Sequence, residues 1–254
     1  MPKSQVHGRC RLCGVETRLV DSHIIPGFQY KPLKEAEGHF LVISTDAGKK
    51  VYKKQKGITE NLLCTECDNV RLSRYEDHLA KVLFGGCPLA GKQTGRLLVV
   101  EGYDYKRLKN AMLSILWRMS VSSDPYFTDV DLGSKHEERL RLGLLSDTEF
   151  QEEEYPILLT APVFNGEHLG SWTLPPDFAR TDGNRVYRCL ISGLLFTFLV
   201  GSAPISNVVR PLILRRTKWP IVRAKVEEIP FLLDACLRLG QASALRTNAT
   251  QGEA

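Results

Sequence analysis

The stretch CRLCGVETRLVDSHIIP, residues 10–26, contains the first half of the pattern that decides the fold. Its Cys-x-x-Cys pair is followed much later by a second pair in NLLCTECDN, residues 61–69. Each pair places two thiolates on one tight turn, and two such pairs complete a closed tetrahedral site for one zinc ion. We therefore predict a structural zinc site whose four ligands are Cys10, Cys13, Cys64 and Cys67.

Gly14 supports this interpretation, because the turn after such a pair often needs a residue with positive φ. Two other interpretations are four unrelated buried thiols and a redox site, although neither pair has the βαβ context of a thioredoxin-like motif. Four sulfur ligands saturate zinc and leave no open position for catalysis. The predicted ion therefore stabilises a region too small to fold without it, and any chemistry must come from other residues.

The composition is that of an ordinary globular protein, with 254 residues, 43% hydrophobic and 25% charged. No apolar run is long enough to span a membrane, and the opening MPKSQVHGRC lacks the apolar core of a signal peptide. We therefore expect a cytoplasmic protein without a membrane partner, in which paired cysteines hold metal more often than they form disulfides. The remaining cysteines, which we interpret as ordinary buried residues, are Cys87, Cys189 and Cys236.

Positive charge is concentrated near the cysteine motifs. Residues 1–109 contain 19 Lys and Arg against 12 Asp and Glu, whereas the remainder contains 15 against 17. A basic excess beside the motifs is what a phosphate-binding surface requires. Such an excess also occurs on proteins that bind no nucleic acid, so it supports this interpretation without deciding it.

The chain is expected to form an α+β protein with two domains. Residues 1–86 would be the zinc-stapled domain, 87–95 a Gly- and Pro-containing linker, 96–242 a mixed α+β domain for recognition or regulation, and 243–254 a disordered tail. Apolar periodicity predicts helices at 68–84, 104–121, 134–145 and 229–239. Strands are predicted at 155–164, 170–174 and 208–216, with a hairpin over 39–55 and a strand leading into a helix at 184–201.

His23 ends the first strand in the sequence His23-Ile24-Ile25-Pro26. It can be a half-buried histidine bonded to backbone, or a functional base. The order of a Cys-x-x-Cys turn, a strand ending in this histidine, a second strand and a Cys-x-x-Cys pair opening a helix is that of a treble clef. Over about residues 8–84 the sequence resembles the HNH nuclease family, also called the His-Me finger or ββα-metal family.

The resemblance implies that His23 is a general base in hydrolysis of DNA phosphodiester bonds, because a neutral imidazole can deprotonate water near pH 7. It also implies a catalytic Mg²⁺ or Mn²⁺ at the start of the helix, stabilising the developing charge. The expected ligands are Asp68 and Asn69 at the start of the helix. Asp21 and Glu76 could also reach the site.

The sequence departs from the family in three places. Ser22 stands where many members have an acidic or histidine ligand, and Asp68 replaces a histidine that often follows the last cysteine. An insert between His23 and Asn61 carries lysines that could grip phosphates or form a solvated strand edge: Lys49, Lys50, Lys53, Lys54 and Lys56.

We recognise no named domain in the second part of the chain. It could recognise a target, sense a signal, or bind a partner protein or a second copy of the chain. Its Trp117-Arg118 pair is expected to pack in a core and anchor one charge. HNH domains joined to unrelated domains often act in restriction or antiphage defence. By association, we expect such a role for this protein. The alternatives are a treble-clef module that binds nucleic acid or protein without cleaving it, favoured by Ser22, and a zinc-stabilised scaffold.

Overall fold

The computed structural model describes residues 6–33, 40–42, 52–54, 57–170 and 172–237. Both helices and strands are present, so the protein is of mixed α+β class, as expected. The predicted tail at 243–254 lies outside the described residues. We call the described residues up to 86 the cysteine region and those from 87 to 237 the sheet region.

The cysteine region is built on a small antiparallel sheet whose strand order is β1-β2-β5. Between β2 and β5 the chain forms a 3₁₀ helix at Gly27–Leu33 and the antiparallel pair β3–β4, which confirms the predicted hairpin for its described strands. The strand bounds are β1 (His7–Arg9), β2 (Glu16–His23), β3 (Phe40–Val42), β4 (Tyr52–Lys54) and β5 (Thr59–Cys64).

The pairing of β2 with β5 contains a β-bulge. Val20 lies opposite Leu63, but Asp21 lies opposite Asn61, so Leu62 is an extra residue in β5. Neighbouring residues of a regular strand point to opposite faces, whereas Leu62 and Leu63 are both buried. The bulge therefore allows two consecutive leucines to enter the core.

Strand β5 leads directly into helical structure. A π-helix spans Glu66–Leu72 and continues as the α-helix α1, Ser73–Phe84. The predicted helix at 68–84 is thus confirmed, although its first two turns are wider than an α-helix. Tyr75, Leu79 and Val82 are buried at helical spacing, so one face of α1 packs into the core.

The sheet region contains an eight-stranded mixed sheet in the order β10-β11-β12-β8-β13-β7-β6, with β9 paired to β8. Strands β8 and β13 are parallel, and the other pairs in this sheet are antiparallel. The bounds are β6 (Ala90–Thr94), β7 (Leu97–Glu101), β8 (Ile157–Phe164), β9 (Glu167–His168), β10 (Asp177–Thr181), β11 (Asn184–Ile191), β12 (Leu194–Val200) and β13 (Trp219–Lys225).

Helix α2, Tyr105–Val121, lies at the centre of the molecule and is buried along most of its length. It contacts both α1 and α3, the latter spanning Gly133–Leu145. A helix that is buried on all sides is a core element rather than a surface one. One hydrophobic cluster runs from Cys10 to Trp219 and so includes residues of both regions.

The other face of the large sheet carries a smaller hydrophobic cluster. Leu190 and Leu195 of the sheet pack there with Leu232, which lies in the helical segment 230–237. This segment confirms the described part of the helix predicted at 229–239. None of the helices in the described ranges has the length and apolar character needed to cross a bilayer.

Three expectations for the sheet region are corrected. Residues 184–201 form the hairpin β11–β12 rather than a strand and a helix, because Ser192 and Gly193 adopt positive φ in a two-residue turn. Residues 208–216 contain a short 3₁₀ helix at Arg210–Leu212 instead of a strand, where Pro211 removes a backbone donor. The described residues 172–174 are not in a strand.

The stretch predicted as a linker, 87–95, contains the edge strand β6. All five residues of β6 are exposed, which explains why its largely polar sequence AGKQT carries no apolar signal. The division of the chain into two domains stays a prediction. In the structure, the cysteine region and the sheet region share a continuous core.

Candidate functional site

The structure brings the four predicted zinc ligands together. The Sγ atoms of Cys10, Cys13, Cys64 and Cys67 all lie within 4.8 Å of one another. The Sγ atoms of Cys13 and Cys64 are 3.9 Å apart. Zn–S bonds in a tetrahedral site are about 2.3 Å long, which separates the sulfurs by about 3.8 Å. The four thiols therefore have the spacing and chemistry to hold a metal ion such as zinc.

The local backbone explains why the first pair can converge. Gly14 has a φ of 77°, as predicted for this turn, and its N–H donates to the carbonyl of Cys10 over 2.8 Å. The N–H of Cys10 donates to the carbonyl of Val15, closing the turn. From the second pair, the N–H of Cys64 points at the Cys10 sulfur at 3.3 Å. A sulfur that accepts such bonds is stabilised as a thiolate.

Hydrogen bonding within the cluster favours one thiolate in particular. The pKa of Cys10 is lowered to about 4, chiefly because the thiol of Cys67 donates to it, and backbone N–H groups add to the effect against the cost of burial. The same hydrogen bond raises the pKa of Cys67, which keeps the shared proton. Because thiolates are the metal-binding form, a divalent ion would displace that proton on binding.

His23 lies at the end of β2, opposite Thr59, and is half-buried. Its ring lies beside Gly27, where a Cβ would be 3.4 Å from Nε2, so a larger residue at 27 would crowd the ring. Burial lowers the pKa of His23 below its ordinary value, although the charges of Glu76 and Asp68 oppose the shift. The lowered pKa favours the neutral imidazole at pH 7, and the charges of Glu76, Asp68 and Asp21 all act on the ring.

Asp68 is half-buried in the π-helix. Burial raises the pKa of its carboxyl group, while the charge of Arg118, the polar Ser22 hydroxyl and the charge of His23 act in the opposite direction. Ser22 is itself fully buried, and its hydroxyl donates to the main-chain carbonyl of Val20 over 3.4 Å. The residue that departs from the family pattern therefore favours the ionised form of the carboxylate expected to bind the catalytic ion.

The structure links Asn69 to the site less directly. Its side chain is exposed, and its main-chain carbonyl accepts a hydrogen bond of 2.6 Å from the Ser73 hydroxyl. No described contact joins the Asn69 amide to His23.

The lysines of the insert also give no test of phosphate binding, because Lys49, Lys50 and Lys56 lie outside the described residues and Lys53 and Lys54 are described only as part of β4.

Arg118 of α2 is the main feature of the site that sequence reasoning missed. Its side chain is 1% exposed, and Nη2 lies 2.6 Å from the Glu76 carboxylate. Nη1 donates to the main-chain carbonyl of His23 over 2.8 Å, and Nε donates to that of Ser114. The charge expected to be anchored in a core therefore fixes the strand end that carries His23. An arginine within an otherwise apolar helical stripe was the available signal.

A second metal site is not assembled by the protein alone. Among the described residues, the four cysteines are the sole group of three or more His, Cys, Asp or Glu side chains close enough to share an ion. Glu76 is engaged by Arg118, whereas Asp68 has no arginine ion pair at contact distance within the described part of the chain. Mg²⁺ commonly takes one or two carboxylates and completes its shell with water and substrate phosphates, so Asp68 fits such an anchor.

Glu60 connects the cysteine region to the end of α2. Its two carboxylate oxygens accept hydrogen bonds from the hydroxyls of Ser122 and Ser123, at 2.7 and 2.8 Å, and from the N–H of Ser123 at 3.0 Å. Hydrogen bonds to a carboxylate are stronger than neutral ones. Glu60 therefore holds β5 against the helix that positions His23.

Comparisons of this chain with protein-family models, with curated proteins and with solved structures found no match.

Proposed function

We propose that the protein is a metal-dependent endonuclease of the HNH type that hydrolyses phosphodiester bonds in DNA. The observation that carries the proposal is the environment of His23: a half-buried imidazole with a lowered pKa, at the end of a strand, on which the charges of Glu76 and Asp68 act. A neutral imidazole beside carboxylates is suited to accept a proton from water. It is also an arrangement that a purely structural histidine does not need.

We further propose that the cysteine region is a treble clef with a structural zinc. In support, the β1–β2 hairpin carries one cysteine pair, and the second pair lies where β5 enters the helix. The four sulfurs would fix the helix start relative to β2. That constraint would keep His23 and Asp68 at a constant separation during the reaction.

In the proposed reaction, His23 takes a proton from the attacking water while the ring stays positioned by Arg118, which binds the carbonyl of the same residue. A divalent ion such as Mg²⁺ or Mn²⁺, when bound, supplies positive charge that stabilises the phosphorane and the leaving 3′ oxygen. We assign its protein ligands to Asp68 and Asn69. The Ser22 hydroxyl would favour the ionised form of the Asp68 carboxylate.

The proposed DNA-binding surface includes exposed arginines of the β1–β2 hairpin. Arg9, Arg11 and Arg18 are all exposed, and within the described part of the chain Arg11 and Arg18 have no ion pair with an acidic side chain. Free guanidinium groups on one hairpin are suited to phosphate contacts. The sheet region would recognise the target or a protein partner, in keeping with a restriction or antiphage effector.

The test is nicking of supercoiled plasmid by the purified protein with Mg²⁺ or Mn²⁺. His23→Ala should reduce the nicking rate by at least about 100-fold, because general-base catalysis contributes 10²–10⁴-fold. His168→Ala is the matched control, since His168 is an exposed histidine on β9 of the sheet region. Metal-dependent nicking that persists unchanged in His23→Ala would refute the proposal.

A second candidate function is a treble-clef module that binds nucleic acid or a protein partner without cleaving it. Two observations favour it: Ser22 occupies the position before His23, and Glu76 is already paired with Arg118. Fewer acidic groups are then free to bind a catalytic ion. In that case the wild type and His23→Ala would both leave the plasmid intact, and both would bind DNA with an affinity that falls steeply with salt.

A further inference from the structure

Arg141 of α3 reaches from the sheet region to the first cysteine pair. Its Nη1 donates to the main-chain carbonyl of Leu12 over 2.6 Å. Leu12 is fully buried and lies between Cys10 and Cys13 in the metal-binding turn. The carbonyl that Arg141 binds is therefore part of the loop that sets the positions of two of the four sulfurs.

The guanidinium of Arg141 is itself held in place. Glu138, one helical turn earlier on α3, accepts from its Nε and Nη2, both at 2.7 Å. The Arg141 side chain is 24% exposed, so water screens its charge only partly. With Nε and Nη2 donating to one carboxylate, Nη1 is left to donate to the carbonyl of Leu12. The side chain is thus positioned in advance rather than free to reorient.

The location also places a cation next to an anionic group. The pKa of Arg141 is raised chiefly by its hydrogen bonds to Glu138, and the charge of Cys13 adds to the same shift. Four thiolates around one divalent ion carry a net negative charge. The Arg141 guanidinium stabilises that charge from α3, an element that carries none of the four ligands.

A cavity of about 600 Å³ lies along this contact. Its lining includes both Cys10 and Cys13 of the first pair, together with Trp117, Glu138 and Arg141. Cys10 is fully buried, whereas Cys13 is partly exposed, so the cluster is open to approach on the side of Cys13. The cavity is therefore a route by which a metal ion could leave or reach the four cysteines.

We propose that Arg141 is a positioning residue that retains the metal ion at the four-cysteine site. It fixes the carbonyl within the first cysteine turn and supplies positive charge beside the thiolates, at the edge of the cavity through which the ion exchanges. The proposal depends on the metal site alone and is independent of any nuclease activity. It also makes metal retention depend on the docking of α3 against the cysteine turn.

The test is the rate at which the zinc-loaded protein releases its ion to an excess of a colorimetric chelator. Arg141→Gln should release zinc about 10- to 100-fold faster, the range seen when residues that support metal ligands are removed. Arg141→Lys keeps the charge but not the forked geometry, so its rate of zinc release should lie between those of the wild type and Arg141→Gln. The matched control is Arg107→Gln, which breaks a similar pair with Asp104 on the exposed side of α2.

Two further measurements separate retention from general instability. With Co²⁺ in place of zinc, the absorption spectrum of Arg141→Gln should match the wild type, showing that all four sulfurs still bind. Circular dichroism should show that release occurs while the protein is folded. The proposal is overturned if Arg141→Gln releases zinc no faster than Arg107→Gln, if release accelerates only as far as unfolding does, or if the purified wild type binds no zinc.

Discussion

The cysteine region and the sheet region are stabilised by different means. In the sheet region, α2 is buried from Leu108 to Met119 and packs with strands that are themselves largely buried. In the cysteine region, β1 has three residues, and β2 exposes Glu16, Arg18 and Asp21. We therefore expect apolar packing to be sufficient for the larger region, and the smaller one to depend also on its four converging thiols.

The difference extends to the polar contacts between the regions. Side chains of α2 and α3 donate to main-chain carbonyls of the cysteine region: Arg118 to His23 and Arg141 to Leu12. In the opposite direction, the Glu60 carboxylate of the cysteine region accepts a hydrogen bond from the hydroxyl of Ser122 at the end of α2. The larger region thus determines the backbone positions of the smaller one at the residues where chemistry is expected. The following predictions test this dependence, beginning with the largest effect.

Removing the metal should affect the two regions unequally. Structural zinc contributes on the order of 10 kcal/mol to the folding of small domains. Cys67→Ser, or treatment of the wild type with a strong chelator, should therefore abolish hydrogen-exchange protection in β2, β5 and α1. The amides of β11 and β12 should remain protected, because these strands pair with one another and carry none of the metal ligands. Cys236→Ser is the control, since this thiol lies in the 230–237 helix. Equal loss in both regions would contradict the comparison.

Breaking the buried ion pair should produce the next largest effect. Arg118→Met leaves the Glu76 carboxylate without its partner and the His23 carbonyl without its donor. Loss of one member of a buried pair costs about 3–5 kcal/mol, which urea unfolding would measure. Adding Glu76→Leu should restore part of that stability but not nicking. An unchanged unfolding midpoint in Arg118→Met would show that the pair is not needed.

The contact of Glu60 with α2 should contribute less. Glu60→Gln keeps the size of the side chain but loses the charge and one acceptor oxygen, so the three hydrogen bonds from Ser122 and Ser123 cannot all be kept. We expect a loss of about 1–2 kcal/mol in the free energy of unfolding. Glu16→Gln, on exposed β2, should change it by less than about 0.5 kcal/mol. Equal effects of the two substitutions would contradict this assignment.

The smallest effect concerns pH. Because burial lowers the pKa of His23 below its ordinary value of 6.5, protonation should inactivate the base only in more acidic solution. The nicking rate should therefore fall by less than about twofold between pH 7.5 and 6.5, and more steeply below the lowered pKa. A rate profile from pH 5 to 8 measures this. A midpoint at or above pH 7 would show that the carboxylates of Glu76 and Asp68 outweigh burial.

Local patterns in the sequence predicted the elements and the metal ligands well. The two Cys-x-x-Cys pairs identify four sulfurs that meet in space, since each turn is a local structure and one ion joins them. Likewise, apolar periodicity predicted 104–121, and Asp104 indeed caps α2 by accepting from the N–H of Arg107. These features depend on residues a few positions apart, where spacing alone fixes geometry.

Contacts between distant residues could not be predicted in the same way. Nothing in the sequence around Arg118 or Arg141 indicates that their donors would reach His23 and Leu12, because these pairs meet only when α2 and α3 pack. The strand expected at 208–216 is absent for a local reason instead, since Pro211 lacks the backbone N–H that a strand in a sheet donates. The hairpin at Ser192 and Gly193 had a turn signal that the long apolar run concealed.

The extra residue Leu62 makes strand register, as well as chemistry, a determinant of the site. With the bulge, Ser22 lies opposite Glu60 and His23 opposite Thr59. If β5 paired with β2 without a bulge, Leu62 would lie opposite Asp21 and Glu60 would lie opposite His23, and opposed residues share a face of the sheet. A carboxylate would then stand beside the imidazole, and the end of α2 would lose its acceptor. One unpaired residue therefore keeps Glu60 available to α2 and away from His23.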